Sequence, residues 1–298
     1  MPCGHNKKPV ILVLGCTGTN GSQIVANLEK FADDVTVRYS SRRQDQVDKW
    51  KKEKKDAVLL DLDEPRTFGL ALNGVDRVML ITGYTVAMLQ QSKTLIDAAY
   101  KAGVQHVVHL GIFADWDTTD PHYCWHQLIE AYLKASGMKW TNLHNNVFME
   151  NMFTFIHKGT VNDFFDGERV GWISAEDIAK TAATVLREGP CKHHGKDYWL
   201  SEETMNLKQV TEIISQVTGK QVQYAQKTAA DFNEMMKYSQ MEQWYAKGLY
   251  EFFIQVKDGR MGLCSAVRND VPVVTGENAL TIKEWATKNK EALLKTLQ

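Results

Sequence analysis

An α/β fold is predicted by two features of the first half of the chain. Short apolar runs alternate there with amphipathic helical patterns, and the first run ends in a glycine-rich turn that opens a helix. A third feature sets a boundary: the alternation breaks near residue 155. Together they predict a Rossmann-type, doubly wound parallel sheet over residues 1–155. Residues 156–298 are expected to form a smaller α/β lobe that adds part of the core and closes over the site.

The elements follow in order. Residues 9–14 (PVILVL) read as a strand buried on both faces, and 22–30 as a helix with Ile24, Val25 and Leu28 on one side. Residues 35–39 predict a second strand, 44–55 a charged helix and 57–61 a third strand. Pro65 suits a helix start, and Gly74 turns the chain into a fourth strand over 75–82. A helix over 86–102, closed by Gly103, precedes a fifth strand over 104–110. A helix over 121–135 precedes a sixth over 138–143. Strands separated by helices favour right-handed parallel crossovers. Beyond 155, Gly159, Gly167 and Gly171 suggest a loop-rich stretch. Helices are then expected over 175–186, 206–218 and 229–248, with a short strand at 198–200.

Composition excludes several classes. The 298 residues are 44% hydrophobic and 24% charged, and the formal net charge is −1, so no cationic field is available to hold nucleic acid. The run Lys51-Lys52-Glu53-Lys54-Lys55 reads as a solvated helix end. Five scattered cysteines without a C-x-x-C pair point to reduced thiols. The apolar run 10–14 is too short for a signal segment or a membrane span, so the expected location is the cytoplasm.

The turn Gly15-Cys16-Thr17-Gly18-Thr19-Asn20-Gly21 follows a buried strand and opens a helix. In that setting glycines let the backbone approach a pyrophosphate, and the helix start offers free N–H groups. Gly15, Thr17, Gly18, Thr19, Asn20 and Gly21 are therefore candidate cofactor ligands. An NAD site usually carries an acid at the end of the second strand. This chain has Ser41-Arg42-Arg43, groups that suit a 2′-phosphate, so NADP(H) is the expected cofactor. Asp61 and Leu62 would flank the adenine. Thr82 and Gly83 would lie near the nicotinamide, with Tyr84 toward substrate.

The chain resembles the NmrA-like branch of the atypical short-chain dehydrogenase/reductases. The resemblance rests on His126-Gln-Leu-Ile-Glu130, Ala135-Ser-Gly137, Trp140-Thr141, Asn145 through Phe148-Met-Glu-Asn151, and Trp172-Ile-Ser-Ala-Glu-Asp177-Ile178-Ala. It covers nearly the whole chain, and Ser41-Arg42 matches the family's cofactor-phosphate contact. It implies either an NADPH-dependent reductase of quinones or dyes, or a non-catalytic redox sensor acting through a protein partner. Two departures stand out: His144 replaces a usual Arg, and Gly111 stands where many short-chain dehydrogenases keep a catalytic Ser.

Tyr123, His126 and Glu130 are the candidate catalytic residues. Tyr123 is followed four residues later by Gln127, so the Tyr-x-x-x-Lys proton relay is not expected. His122, His126 and Glu130 recur at intervals of four and share a helix face. On this face His126 either gives a proton to the acceptor, oriented by Glu130, or simply lines the wall while Glu130 caps a loop. Nothing resembling a zinc motif supports a metal on His122 and His126. His193-His194 reads as an exposed loop, and Cys3 with His5 as a flexible end. Asn145, Asn146 and Phe148 are candidate substrate contacts. Trp244, Tyr245, Tyr250, Phe252 and Phe253 either line an apolar pocket or form the core of the lobe. The expected partner is a small molecule, with a small apolar carbonyl, quinone or activated alkene as hydride acceptor. A homodimer is compatible with the sequence.

Overall fold

The computed structural model describes residues 7–298. Fourteen strands are present among the described residues: β1 (Val10–Val13), β2 (Thr36–Ser41), β3 (Asp56–Leu59), β4 (Arg77–Leu80), β5 (His106–Leu110), β6 (Lys139–Asn145), β7 (Val147–Phe148), β8 (Ile156–His157), β9 (Thr160–Asp163), β10 (Val170–Ile173), β11 (Lys196–Ser201), β12 (Glu203–Met205), β13 (Gln223–Gln226) and β14 (Arg268–Asn269). The α-helices are α1 (Thr19–Glu29), α2 (Gln44–Lys52), α3 (Phe68–Leu72), α4 (Met88–Lys101), α5 (Pro121–Ala135), α6 (Met152–Phe155), α7 (Ala175–Glu188), α8 (Pro190–His193), α9 (Leu207–Thr218), α10 (Ala229–Met236), α11 (Gln243–Lys257), α12 (Val271–Thr275), α13 (Ile282–Lys288) and α14 (Lys290–Thr296).

The main sheet has the order β14-β11-β6-β5-β4-β1-β2-β3, parallel throughout except for the antiparallel edge pair β11–β14. The segment β3-β2-β1-β4-β5-β6 is the doubly wound order, with the reversal between β1 and β4. β1 shows why both faces must be covered. Ile11 and Val13 join one core with α1 and α7, whereas Val10, Leu12 and Leu14 join the opposite core with α3, α4 and α5. A third core, rich in Phe and Met, gathers β7 to β10, α9, α11 and α13.

Several boundaries differ from the sequence reading. β2 runs on through Ser41, and α1 starts at Thr19, so Thr19, Asn20 and Gly21 sit in the first helical turn. The stretch 159–171 carries β9 and the first residues of β10, joined by a loop. Its glycines do two jobs: Gly159 and Gly167 turn at φ +71° and +85°, while Gly171 lies inside β10, where a Cβ would stand 2.2 Å from Ser201 Oγ. The single helix expected over 229–248 is two. Glu242 accepts from the backbone N–H of Trp244 and Tyr245 and starts α11 afresh, and Gly248 does not end it. A Cβ on Gly248 would meet His122 Cβ at 3.2 Å, so this glycine lets α11 lie close on α5.

Residues beyond 156 also extend the main sheet. β11 pairs with β6, and α7 packs on α1, so the sequence of the second half completes the layer begun by the first.

Candidate active site

The glycine turn is built at the carboxyl end of β1. Gly15 has φ +65°, and its carbonyl accepts from Gly18 N at 2.8 Å. A Cβ on Gly21 would stand 2.1 Å from that same Gly15 oxygen, so helix and loop can approach only with glycine there. Cys16 braces the turn from below: its thiol donates to Val13 O at 3.0 Å and accepts from Ser40 N at 3.4 Å. Burial pushes that thiol up to about 11, which keeps it a protonated donor. Gly15, Thr17, Gly18 and Thr19 are exposed, and α1 begins with neither a side-chain cap nor an acid in its first turn. Its free N–H groups and positive dipole end therefore suit an anion. Asn20 Oδ1 is buried beside them without a partner, and exchanging the two ends of its amide would present a donor instead.

Register puts the end of β2 next to this turn, since Val13 pairs with Tyr39. Ser41 Oγ accepts from Arg43 N at 3.1 Å, and Arg43 reaches Asp45 at 3.9 Å. Arg42 is exposed, and its guanidinium has no partner among the described residues. Asp61 and Leu62 are half-buried beyond β3, with Asp61 Oδ1 accepting from Asp63 N. Thr82, Gly83 and Tyr84 follow β4, across the switch point from the glycine turn.

On the far side of that crevice lies a buried group of imidazoles and carboxylates. His126 Nδ1 is 3.3 Å from His109 Nε2. His109 Nδ1 is buried and unpartnered, 3.9 Å from Glu130 Oε1. The same oxygen is 3.6 Å from His144 Nδ1. His144 donates from Nδ1 to Ile112 O at 2.9 Å and from Nε2 to Asp197 Oδ1 at 3.0 Å. With acceptors at both nitrogens, this ring is an imidazolium. Burial opposes its charge, but the Asp197 and Glu130 carboxylates outweigh burial and raise its affinity for the proton. It stacks on Trp199 at 4.4 Å, and the Arg268 guanidinium lies over the same indole at 4.7 Å. His144 thus supplies a fixed cation where its relatives are expected to carry Arg. Glu130, His144 and Asp197 bring ligand-type atoms within 4.8 Å of one another, and a metal there would have to displace the proton of His144.

The two remaining imidazoles are held neutral, while Glu130 stands between its two states near pH 7. Burial and the neighbouring imidazoles push His126 well down, and burial with His144 takes His109 down to about 3. Burial raises Glu130 to about 7, against the pull of His144 and Lys134. The carboxyl occupies the space above Gly111: a Cβ there would stand 2.5 Å from Glu130 Oε1. Gly111 is therefore a glycine because Glu130 fills the volume that a serine would need. On its outer side His126 meets His122, whose ring packs edge-on to Tyr245 at 4.7 Å, and Tyr245 touches exposed Tyr84 at 5.2 Å.

Other candidates fall elsewhere. Glu130 does not touch His126; His109 stands between them, and neither the sequence spacing nor the helix face reveals that. Tyr123 is turned into the aromatic core, stacked on Phe252 with its hydroxyl 3.7 Å from Cys264 Sγ. Asn146 is a structural bond-maker: its amide nitrogen donates to Ser201 Oγ and Cys264 O. Asn145 is buried with Oδ1 unpartnered, and Phe148 packs, half-buried, against the α1–α7 core. Phe252 and Phe253 are core, whereas Trp244 is 60% exposed. His193 is buried between Glu188 and Tyr198, not exposed. The expectation of reduced thiols holds for Cys16, Cys124 and Cys264, but Cys191 is disulfide-bonded. Cys3 and His5 lie outside the described residues. No helix among the described residues is long and apolar enough to cross a membrane.

The chain is 29% identical to the NAD(P)H azoreductase of Xenophilus azovorans, over 95% of this chain and 99% of that protein. It is 26% identical to quinone oxidoreductase 2 of Escherichia coli K12, over 76% of this chain and 81% of the other. The solved structure of Citrobacter sp. triphenylmethane reductase complexed with NADP(H) superposes with a TM-score of 0.78 at 19% identity, covering 95% of this chain and 99% of that one, a likeness of fold. The model of the NmrA-like family matches residues 7–264, so the chain belongs to the NmrA-like family.

Proposed function

We propose that this protein is an NADPH-dependent reductase that passes hydride to a small apolar carbonyl, quinone or activated alkene or imine. The observation that carries the reading is the arrangement about the β1–β4 switch point: an uncapped α1 and an Arg42 without a partner among the described residues on one side, neutral His126 on the other. The named functions of the azoreductase and quinone oxidoreductase relatives support it.

A bound nicotinamide would supply the hydride. This chain's own groups do the rest. The α1 N-terminus and the Gly15–Gly21 turn hold a pyrophosphate, and Arg42 with Ser41 holds a 2′-phosphate. Tyr84, Tyr245 and His122 form an aromatic wall that favours a flat apolar acceptor. His126 Nε2 is the ring nitrogen left for that acceptor. It has no partner among the described residues, yet is not among the sealed, orphaned atoms.

A panel of quinones, azo compounds and enones, assayed with NADPH and with NADH, tests the reading. Turnover near ~1 s⁻¹ or faster with NADPH is the expected result. Tight NADPH binding without turnover on any acceptor would replace it with the sensor reading.

A further inference from the structure

We propose that Glu130 stores the proton for the reduction and, through His109 and His126, drives its delivery to the acceptor from His126 Nε2. The inference rests on the reductase reading above and names residues that carry the second half of that reaction. Hydride alone leaves a neutral quinone or carbonyl as an anion, so the site must add one proton.

The geometry offers one inward route. His109 Nε2 and His126 Nδ1 are 3.3 Å apart, so one donates to the other and the two tautomers are locked together. His109 Nδ1 is buried without a close hydrogen bond; the Asn142 side chain is a longer-range partner of this ring, and Glu130 Oε1 is the carboxylate oxygen beside it at 3.9 Å. Glu130 accepts no hydrogen bond from any described residue, and its terminal torsion is soft, so rotation can close that gap. Protonated Glu130 then donates to His109 Nδ1, His109 Nε2–H donates to His126 Nδ1, and His126 presents Nε2–H to the acceptor.

Delivery is one shift along that line. The Glu130 O–H, His109 Nε2–H and His126 Nε2–H bonds break, while His109 Nδ1–H, His126 Nδ1–H and a new bond to the acceptor form. Glu130 becomes a carboxylate, and neither ring carries charge at either end of the shift. This matters because both rings are too deeply buried to be imidazolium. When product leaves, water entering the site protonates His126 Nε2 and the shift runs back, reloading Glu130. His144 and Asp197 are positioning residues: the imidazolium, pinned by Asp197 at 3.0 Å, limits how far burial raises Glu130.

The groups facing Glu130 are His109 on β5, His144 on β6, Asp197 on β11 and Lys134 on its own helix. Glu130 loses its proton as pH rises through about 7, so kcat for a quinone should fall above that pH. The test uses two acceptors. A quinone needs hydride and a proton, whereas a cationic triarylmethane dye is neutralised by hydride alone. His109→Phe and Glu130→Gln should each lower the quinone-to-dye ratio of kcat by roughly 10²-fold and abolish the fall above pH 7. NADPH affinity, measured separately by calorimetry, reports whether each variant is folded. Equal losses on both acceptors, or a retained pH profile, would overturn the relay. An unaltered protein that reduces neither acceptor overturns the reductase reading and the relay with it.

Discussion

Arg42 and His144 show how single side chains divide the work between ligand and fold. Arg42 has no partner among the described residues, so its charge is available to a ligand and contributes little to stability. Arg42→Ala should weaken NADPH binding by about 10- to 100-fold, the worth of ~1.5–3 kcal/mol for hydrogen bonds to a charged group. NADH, lacking the 2′-phosphate, should be little affected. Calorimetric Kd values for both nucleotides check this, and equal losses would reject the assignment. His144 is the opposite case. Every polar atom of its ring is committed to protein, and its charge acts on Glu130 rather than on solvent.

At the scale of elements, α1 decides whether there is a site at all. The helix must begin within contact of the Gly15 carbonyl, and only Gly21 permits that approach. Gly21→Ala should cost about 1–3 kcal/mol of stability through overpacking. It should also weaken NADPH and NADH alike, because the whole N-terminus shifts from the pyrophosphate. Urea unfolding together with nucleotide titration checks both outcomes; a variant that binds both nucleotides normally would show that the approach is not needed. α5 is the matching element across the crevice, carrying His122, His126 and Glu130 on one face. Its close seat on α11 depends on the absence of a side chain at Gly248.

The whole molecule is held together by two acids from the family-like stretches. Glu150 accepts from Ala175 N at 2.9 Å through one oxygen and from Trp285 Nε1 at 2.9 Å through the other. It thereby ties the end of β7 to α7 and α13. Asp177 accepts from Leu280 N at 2.9 Å and bonds Ser174 at the start of α7. These residues fasten the C-terminal segment to the sheet. Glu150→Ala leaves two buried N–H donors unpaired and should cost about 2–4 kcal/mol, with kcat on the surviving folded protein little changed. Chemical denaturation and activity per folded molecule check it. A large loss of kcat without loss of stability would place Glu150 in the chemistry.

The sequence by itself determined the layer architecture, the phosphate turn and the end of β2, because each depends on local spacing. Alternating apolar runs and helical patterns, glycines at a strand end and a Ser-Arg pair all act within a few residues of one another. The helix face of His122, His126 and Glu130 was legible for the same reason. What His126 touches was not. His109 lies 17 residues back on β5, and Asp197 lies 53 residues beyond His144 on β11. The parallel order β11-β6-β5 sets those strands beneath α5, and no local pattern encodes that order. The tertiary structure therefore decided that a second imidazole, His109, stands between Glu130 and His126, that Tyr123 belongs to the core, and that Gly111 makes room for a carboxyl.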